Sequence, residues 1–139
     1  MKKFAFLLPL LLLFVLVGFN SNSYAQNGPV LYFCEYYGDN GEVGISDRFT
    51  TGYLTVMVKC SYALGLSDVS IQFDKYNCKT GEFVYYKKFN YTVEPDMKYI
   101  FFSKNSESDM SFDSPGIYRV FLLDEYDKTV TSGLVEVIR

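Results

Sequence analysis

The most informative segment of this chain is Asp113-Ser114-Pro115-Gly116-Ile117-Tyr118-Arg119-Val120. It leads from a turn into a run of branched and aromatic residues, which predicts a strand over 117–123. A second run of this kind covers 130–138, and the polar residues 124–128 between the two runs predict a hairpin. We therefore expect the chain to finish as a pair of antiparallel strands, with a bulge at Gly133.

Similar strand signals cover the preceding part of the chain. In 53–60, Leu54, Val56 and Val58 share one face while Thr55, Met57 and Lys59 occupy the other, as in a half-buried strand. We predict further strands over 30–37, 42–46, 69–74, 82–93 and 98–103, with a bend in 82–93 near Lys87. Seven or eight short strands separated by turns predict an antiparallel β-sandwich, with a small closed barrel as the alternative.

The segment 113–120 resembles the Asp-x-Gly-x-Tyr-x-Cys sequence that opens the penultimate strand of immunoglobulin-like domains. Gly116 and Tyr118 match its glycine and tyrosine, while Val120 replaces its cysteine, and the chain contains no tryptophan. The resemblance implies an all-β immunoglobulin-like sandwich, with Gly116 and Tyr118 as structural residues of a tyrosine corner. Many modules of the bacterial envelope look like this. The resemblance transfers no functional residue, because such sandwiches have many roles.

The amino-terminal residues 1–25 have the pattern of a signal peptide. Lys2 and Lys3 precede an apolar run over 4–18, and the small residues of 23–25 suit a cleavage site. We expect cleavage before Gln26, a periplasmic or secreted product without a membrane span, and a single β-sandwich domain over 26–139. An uncleaved membrane anchor is the alternative.

Composition narrows the classes of function. Removing Lys2 and Lys3 leaves 11 basic residues against 16 acidic ones, a net charge of −5, so nucleic acid is not an expected partner. The chain has no histidine, and no catalytic, metal-binding or cofactor-binding motif is recognisable. We therefore expect a protein that is not an enzyme and needs no cofactor or metal.

The three cysteines leave at least one thiol unpaired in a monomer. Cys34 and Cys60 lie in apolar segments and are the candidate disulfide, whereas Cys78 lies in the polar turn 77–81 and is the candidate free thiol. Alternatively, Cys34 and Cys60 are ordinary buried residues. A covalent dimer through the unpaired thiol also remains open.

Aromatic residues are abundant, with 13 tyrosines and 13 phenylalanines. Exposed tyrosine is favoured at interfaces, although tyrosine also has high strand propensity. The tyrosines expected at strand edges or in turns are Tyr36, Tyr37, Tyr62, Tyr76, Tyr86 and Tyr126. We expect an exported, non-catalytic binding module whose partner is another envelope or secreted protein. The alternative is a carbohydrate-binding module in which exposed tyrosines, Tyr85 and Tyr86 among them, stack on a glycan.

Overall fold

The computed structural model describes residues 28–105 and 108–139. The predicted signal peptide over 1–25 and its cleavage before Gln26 lie outside these ranges and stay predictions. Across the described ranges, no helix has the length and apolar character needed to cross a membrane.

The regular elements of the described residues are all β-strands, as predicted. The described residues form twelve strands rather than seven or eight, because the run 30–37 is divided at Glu35, the run 53–60 is divided at Leu54, and the short strands at 48–50 and 111–112 were not predicted. The strands are β1 (Val30–Cys34), β2 (Tyr36–Gly38), β3 (Gly41–Val43), β4 (Arg48–Thr50), β5 (Gly52–Tyr53), β6 (Thr55–Lys59), β7 (Asp68–Asn77), β8 (Glu82–Thr92), β9 (Tyr99–Phe102), β10 (Ser111–Phe112), β11 (Gly116–Leu123) and β12 (Thr129–Ile138).

Two main sheets enclose one core. The larger has the strand order β4-β12-β11-β7-β8 and the smaller the order β1-β6-β9, while β10-β5 and β2-β3 are short two-stranded additions. All pairs are antiparallel except β4 with β12. Immunoglobulin-like domains place strands G, F and C in one sheet, to which variable-type domains add C′, and strands A, B and E in the other. The observed orders correspond to G-F-C-C′ and A-B-E, so the immunoglobulin-like sandwich is confirmed and the structure is not a closed barrel.

Apolar packing occupies the place of the immunoglobulin disulfide. Val120, which replaces the cysteine of the sequence motif, pairs with Phe73 on β7, and both side chains are fully buried. The ring of Phe73 packs edge-on against Phe112 at 5.2 Å between centroids. Fully burying an apolar side chain of this size contributes about 2 kcal/mol. The core therefore does not need the bridge or the tryptophan that antibody domains use.

The tyrosine corner is present. Tyr118 is fully buried, and its hydroxyl donates a hydrogen bond of 2.7 Å to the carbonyl oxygen of Ser114. The rings of Phe112 and Tyr86 pack edge-on against the Tyr118 ring at 4.9 and 5.4 Å. Gly116 begins the strand with φ of 155°, and a Cβ atom there would lie 2.8 Å from Lys75 Cε. Gly116 and Tyr118 thus have the structural roles that the resemblance implied.

The two predicted irregularities differ in outcome. In the β7–β8 pair the register shifts between Phe73 and Asp74, which leaves Tyr86 unpaired beside Lys87, close to where a bend was expected. The bulge predicted at Gly133 is wrong, because Gly133 pairs regularly with Val120. A Cβ atom at Gly133 would lie 3.0 Å from Leu31 Cδ2, so the glycine permits a close approach of the two sheets.

We predict that Tyr118→Phe lowers the free energy of unfolding by about 1 kcal/mol, because it removes a buried hydrogen bond and leaves the Ser114 carbonyl without this donor. Urea denaturation measures the change. Tyr126→Phe is the matched control, since Tyr126 is 82% exposed and should tolerate the loss of its hydroxyl. Equal stability of Tyr118→Phe and the parent protein would contradict a stabilising corner.

Candidate interaction surface

The structure does not bring Cys34 and Cys60 together. Cys34 pairs with Thr55, and Cys60 follows Thr55 by five residues, or about 16 Å along a strand. A disulfide needs Cα atoms within about 7 Å. All three cysteines are unpaired. Burial raises the pKa of the thiols of Cys34 and Cys60, which makes them weak nucleophiles. Cys78 lies exposed in the turn between β7 and β8.

The β2–β3 hairpin covers the outer face of the smaller sheet. Tyr37 from the hairpin stacks on Phe101 of β9, with ring centroids 4.5 Å apart and planes 8° from parallel. Met57 lies on this outer face because its neighbours Val56 and Val58 point into the core, yet it is fully buried. The hairpin therefore covers Met57 and part of the outer face of the smaller sheet, while Phe101 stays 47% exposed.

A carboxylate fastens this hairpin to the sheet. Glu42 accepts a hydrogen bond of 2.5 Å from the Tyr32 hydroxyl and another hydrogen bond from Tyr99. These bonds, with the Tyr32 bond as the largest contribution, lower the pKa of Glu42 to about 2. Burial, and then the bond to Glu42, raises the pKa of Tyr32 above its ordinary value. The ionised form of Glu42 is therefore the form that holds the hairpin.

The outer face of the larger sheet carries exposed apolar side chains. Arg119 on β11 lies between Asp74 on β7 and Leu134 on β12, and Tyr85 on β8 is the next residue beyond Asp74 in the same row. Leu134 is 56% exposed and Tyr85 is 63% exposed. Ile117, two residues before Arg119, is 44% exposed. We call this surface the Arg119 face; its residues are Phe83, Tyr85, Ile117, Arg119, Phe121 and Leu134.

Two aromatic rings hold the guanidinium at the centre of the Arg119 face. The Cζ atom of Arg119 lies 4.5 Å from the centroid of the Phe83 ring and 4.9 Å from that of Phe121. Its Nη2 atom lies 3.8 Å from Asp74 Oδ2, and its Nε atom is buried without a hydrogen-bond partner. The arrangement fixes a cation on a partly apolar surface.

The Arg119 face continues to an open sheet edge. β8 is the last strand of the larger sheet and pairs only with β7 in the described structure. Such an edge presents unpaired backbone N–H and C=O groups to other chains. Lys87 bends towards β10, where its Nζ donates to the carbonyl oxygens of Asp109, at 2.9 Å, and Ser111. The part of β8 near Tyr85 is the more apolar part of this edge.

The predicted tyrosines have different environments. Tyr36, Tyr62 and Tyr126 are exposed, and Tyr76 packs against Phe83 at 5.3 Å between ring centroids. Tyr85 is exposed on the outer face, whereas Tyr86 packs against the buried Tyr118 ring. Tyr85 and Tyr86 therefore do not share one face on which a sugar ring could stack.

The carboxylates of the last hairpin are used in folding. Asp124 Oδ1 accepts hydrogen bonds from the backbone N–H groups of Tyr126, at 2.9 Å, and Lys128, at 2.8 Å. Asp127 forms an ion pair with Lys88. Within residues 28–105 and 108–139, no group of three or more histidine, cysteine or acidic residues is placed to hold a metal ion.

Sequence reasoning missed the Arg119 face. Alternation over 117–123 does place Ile117, Arg119 and Phe121 on the side opposite Tyr118, so their shared exposure was open to prediction. The contact between Arg119 and Phe83 was not, because it joins strands that are distant in sequence and not paired with each other.

Comparison with known proteins identifies no function. No protein-family model matches the chain, and no curated protein matches it either. Among solved structures, the chain is similar to an immunoglobulin-like protein from Pseudomonas aeruginosa, with 10% identity and a TM-score of 0.48, over 82% of this chain and 99% of the other. A likeness of this degree carries no argument about a site or a partner. The strand order and the tyrosine corner define the chain as an immunoglobulin-like sandwich by fold.

We predict that Glu42→Gln removes part of the acid sensitivity of the fold. Because the pKa of Glu42 is lowered from 4.5 to about 2 by folding, its contribution to stability is complete above pH 4.5 and is lost as pH falls towards 2. Thermal unfolding between pH 6 and pH 2 should therefore show a steeper acid-side fall for the parent protein than for Glu42→Gln. Glu94→Gln, at an exposed position, corrects for the change in net charge. Parallel pH profiles for the parent and Glu42→Gln would contradict the proposed fastening.

Proposed function

We propose that this chain is an exported, non-catalytic binding module of the bacterial envelope that binds another envelope or secreted protein through the Arg119 face. The observation that carries the proposal is the group of exposed Tyr85, Ile117 and Leu134 side chains around an arginine held between two rings. Aromatic residues and arginine are enriched in the centres of protein interfaces and among the residues that contribute most to binding.

The contrast between the two sheets supports this choice of surface. Part of the outer face of the smaller sheet is covered by Tyr37 and the rest of the β2–β3 hairpin, beneath which Met57 is fully buried. The Arg119 face keeps large apolar side chains in water, where burial would gain about 25 cal/mol for each Å² removed from solvent. A protein partner that covers Tyr85, Ile117 and Leu134 would recover that free energy.

The chemistry of the side chains supports a role without catalysis. The chain has no histidine to act as a general base. The Cys34 and Cys60 thiols are buried with raised pKa values, and carboxylates such as Asp124 stabilise turns. The Arg119 face offers apolar area, aromatic rings and one cation, which are suited to binding a partner.

The export step has its own test. Residues 1–25 have the signal-peptide pattern, so the mass of the protein recovered from the periplasm or the medium should correspond to a chain that begins at Gln26. Intact-mass spectrometry with and without thiol alkylation measures both the cleavage and the number of free cysteines. A protein that retains residues 1–25 in the membrane fraction would overturn the proposal of a released module.

The binding surface is tested by photo-crosslinking. We expect benzoylphenylalanine at position 85 to give a discrete crosslinked protein product in intact cells, because Tyr85 lies on the Arg119 face. The same residue at position 126 is the control, since Tyr126 is exposed in the turn between β11 and β12. Absence of a product at 85, or products of equal yield at 85 and 126, would contradict binding through this face. A product that contains glycan instead of protein would favour the carbohydrate-binding alternative.

A further inference from the structure

The guanidinium of Arg119 has hydrogen-bonding capacity that the protein does not use. An arginine side chain carries five N–H donors. Nε of Arg119 has no partner, and the 3.8 Å separation of Nη2 from Asp74 Oδ2 is longer than a hydrogen bond. Asp74 is already engaged on its other oxygen, since Oδ1 accepts a hydrogen bond of 2.9 Å from Gln72. The Arg119 side chain is 42% exposed, so an incoming acceptor can reach the accessible part of the guanidinium, which does not include the buried Nε.

Arg119 differs from the other cations of this sheet. Arg48 forms an ion pair of 2.6 Å with Glu136, and Lys88 forms one with Asp127. Lys75 donates to the hydroxyl of Ser114. Each of these cations has a close polar partner within the described chain. Arg119 has aromatic rings on two sides, and its ion pair with Asp74 is longer than the pair of Arg48 with Glu136, at 3.8 Å between Nη2 and Oδ2.

The two rings prepare this cation for binding. Phe83 and Phe121 restrict the positions that the Arg119 side chain can take, so less conformational freedom is lost when a ligand binds. A guanidinium presents its N–H groups in a planar fork that matches the two oxygens of a carboxylate. The apolar side chains of Tyr85, Ile117 and Leu134 would exclude water around such a contact and so strengthen it.

The buried Nε atom of Arg119 is unfavourable for the stability of the fold. A buried donor without an acceptor destabilises a fold. A leucine or methionine at position 119 would pack between Phe83 and Phe121 without this penalty. A local cost of this kind is expected at a functional site rather than at a purely structural position.

We infer that Arg119 is the anchor for a carboxylate on an acidic side chain of the protein partner, which the Arg119 face surrounds with apolar contacts. The inference rests on the proposed function and specifies the partner's chemistry. The complementary surface is an aspartate or glutamate with apolar neighbours. A sugar acid would offer the same carboxylate but not the apolar flanks that fit Tyr85 and Leu134.

A titration with a defined peptide tests this inference directly. The chain has three arginines, Arg48, Arg119 and Arg139, so an ¹⁵N-arginine sample gives a simple Nε–Hε spectrum. The probe is acetyl-Leu-Glu-Tyr-Glu-Leu-amide, and the matched control peptide has glutamine in place of both glutamates. We expect the Arg119 signal to shift saturably with the acidic peptide, with affinity about tenfold or more above that of the control.

The Arg48 signal is an internal control, because Arg48 already has Glu136 as its partner. Equal affinity for the two peptides, or no shift at Arg119, would overturn the inference. So would a shift produced by a galacturonic acid oligosaccharide and not by the acidic peptide.

Variants separate this inference from the proposed function. In cells that carry benzoylphenylalanine at position 85, Arg119→Gln should lower the yield of the crosslinked product by about tenfold, and Arg119→Lys should restore little of it, because lysine lacks the planar fork. Arg48→Gln, which removes the same charge elsewhere on the sheet, should leave the yield unchanged. An unchanged yield in Arg119→Gln would defeat the carboxylate anchor while the binding function stands. Absence of product in the parent protein would defeat the proposed function itself.

Discussion

The register of β11 between β7 and β12 is the constraint on which the rest of the structure depends. Because side chains alternate along a strand, this register places Tyr118 in the core and Arg119 on the outer face. A slip by one residue would exchange the two, burying a cation and exposing the corner tyrosine. The hydrogen bond from the Tyr118 hydroxyl to the Ser114 carbonyl ties the beginning of β11 to the turn that precedes it. The same strand pairing therefore determines which side chains form the core and which form the candidate binding surface.

The two sheets use their outer faces differently. Over the smaller sheet, Tyr37 stacks on Phe101, and ionised Glu42 accepts hydrogen bonds from two tyrosine hydroxyls, so aromatic residues there contribute to the fold. Over the larger sheet, Tyr85 and Leu134 have no such cover in the described chain. An abundance of tyrosine and phenylalanine therefore has two explanations in one protein. Some of these aromatic residues, such as Tyr37, pack over the smaller sheet, and others, such as Tyr85, remain exposed beside Arg119.

Local sequence signals predicted the fold because those signals report alternation and turns. Gly116 and Tyr118 indicated the corner, and alternating strands indicated a sandwich. Features that depend on pairing between distant segments could not be predicted from local sequence. The short strand β4 is defined by its pairing with β12. The separation of Cys34 from Cys60 follows from the register of β1 with β6. The Arg119 face combines both kinds of information. Its exposure follows from alternation, whereas the position of Phe83 over Arg119 depends on the complete sheet order.

The most direct test of this account is the pattern of proton–proton contacts at β11 by NMR. We expect contacts between the Arg119 δ-protons and the rings of both Phe83 and Phe121, with ring-current shifts of those protons, and contacts between the Tyr118 ring and Phe112. Contacts from Arg119 to core residues would contradict the register. A spectrum in which Arg119 contacts neither phenylalanine ring would contradict the arrangement of the Arg119 face.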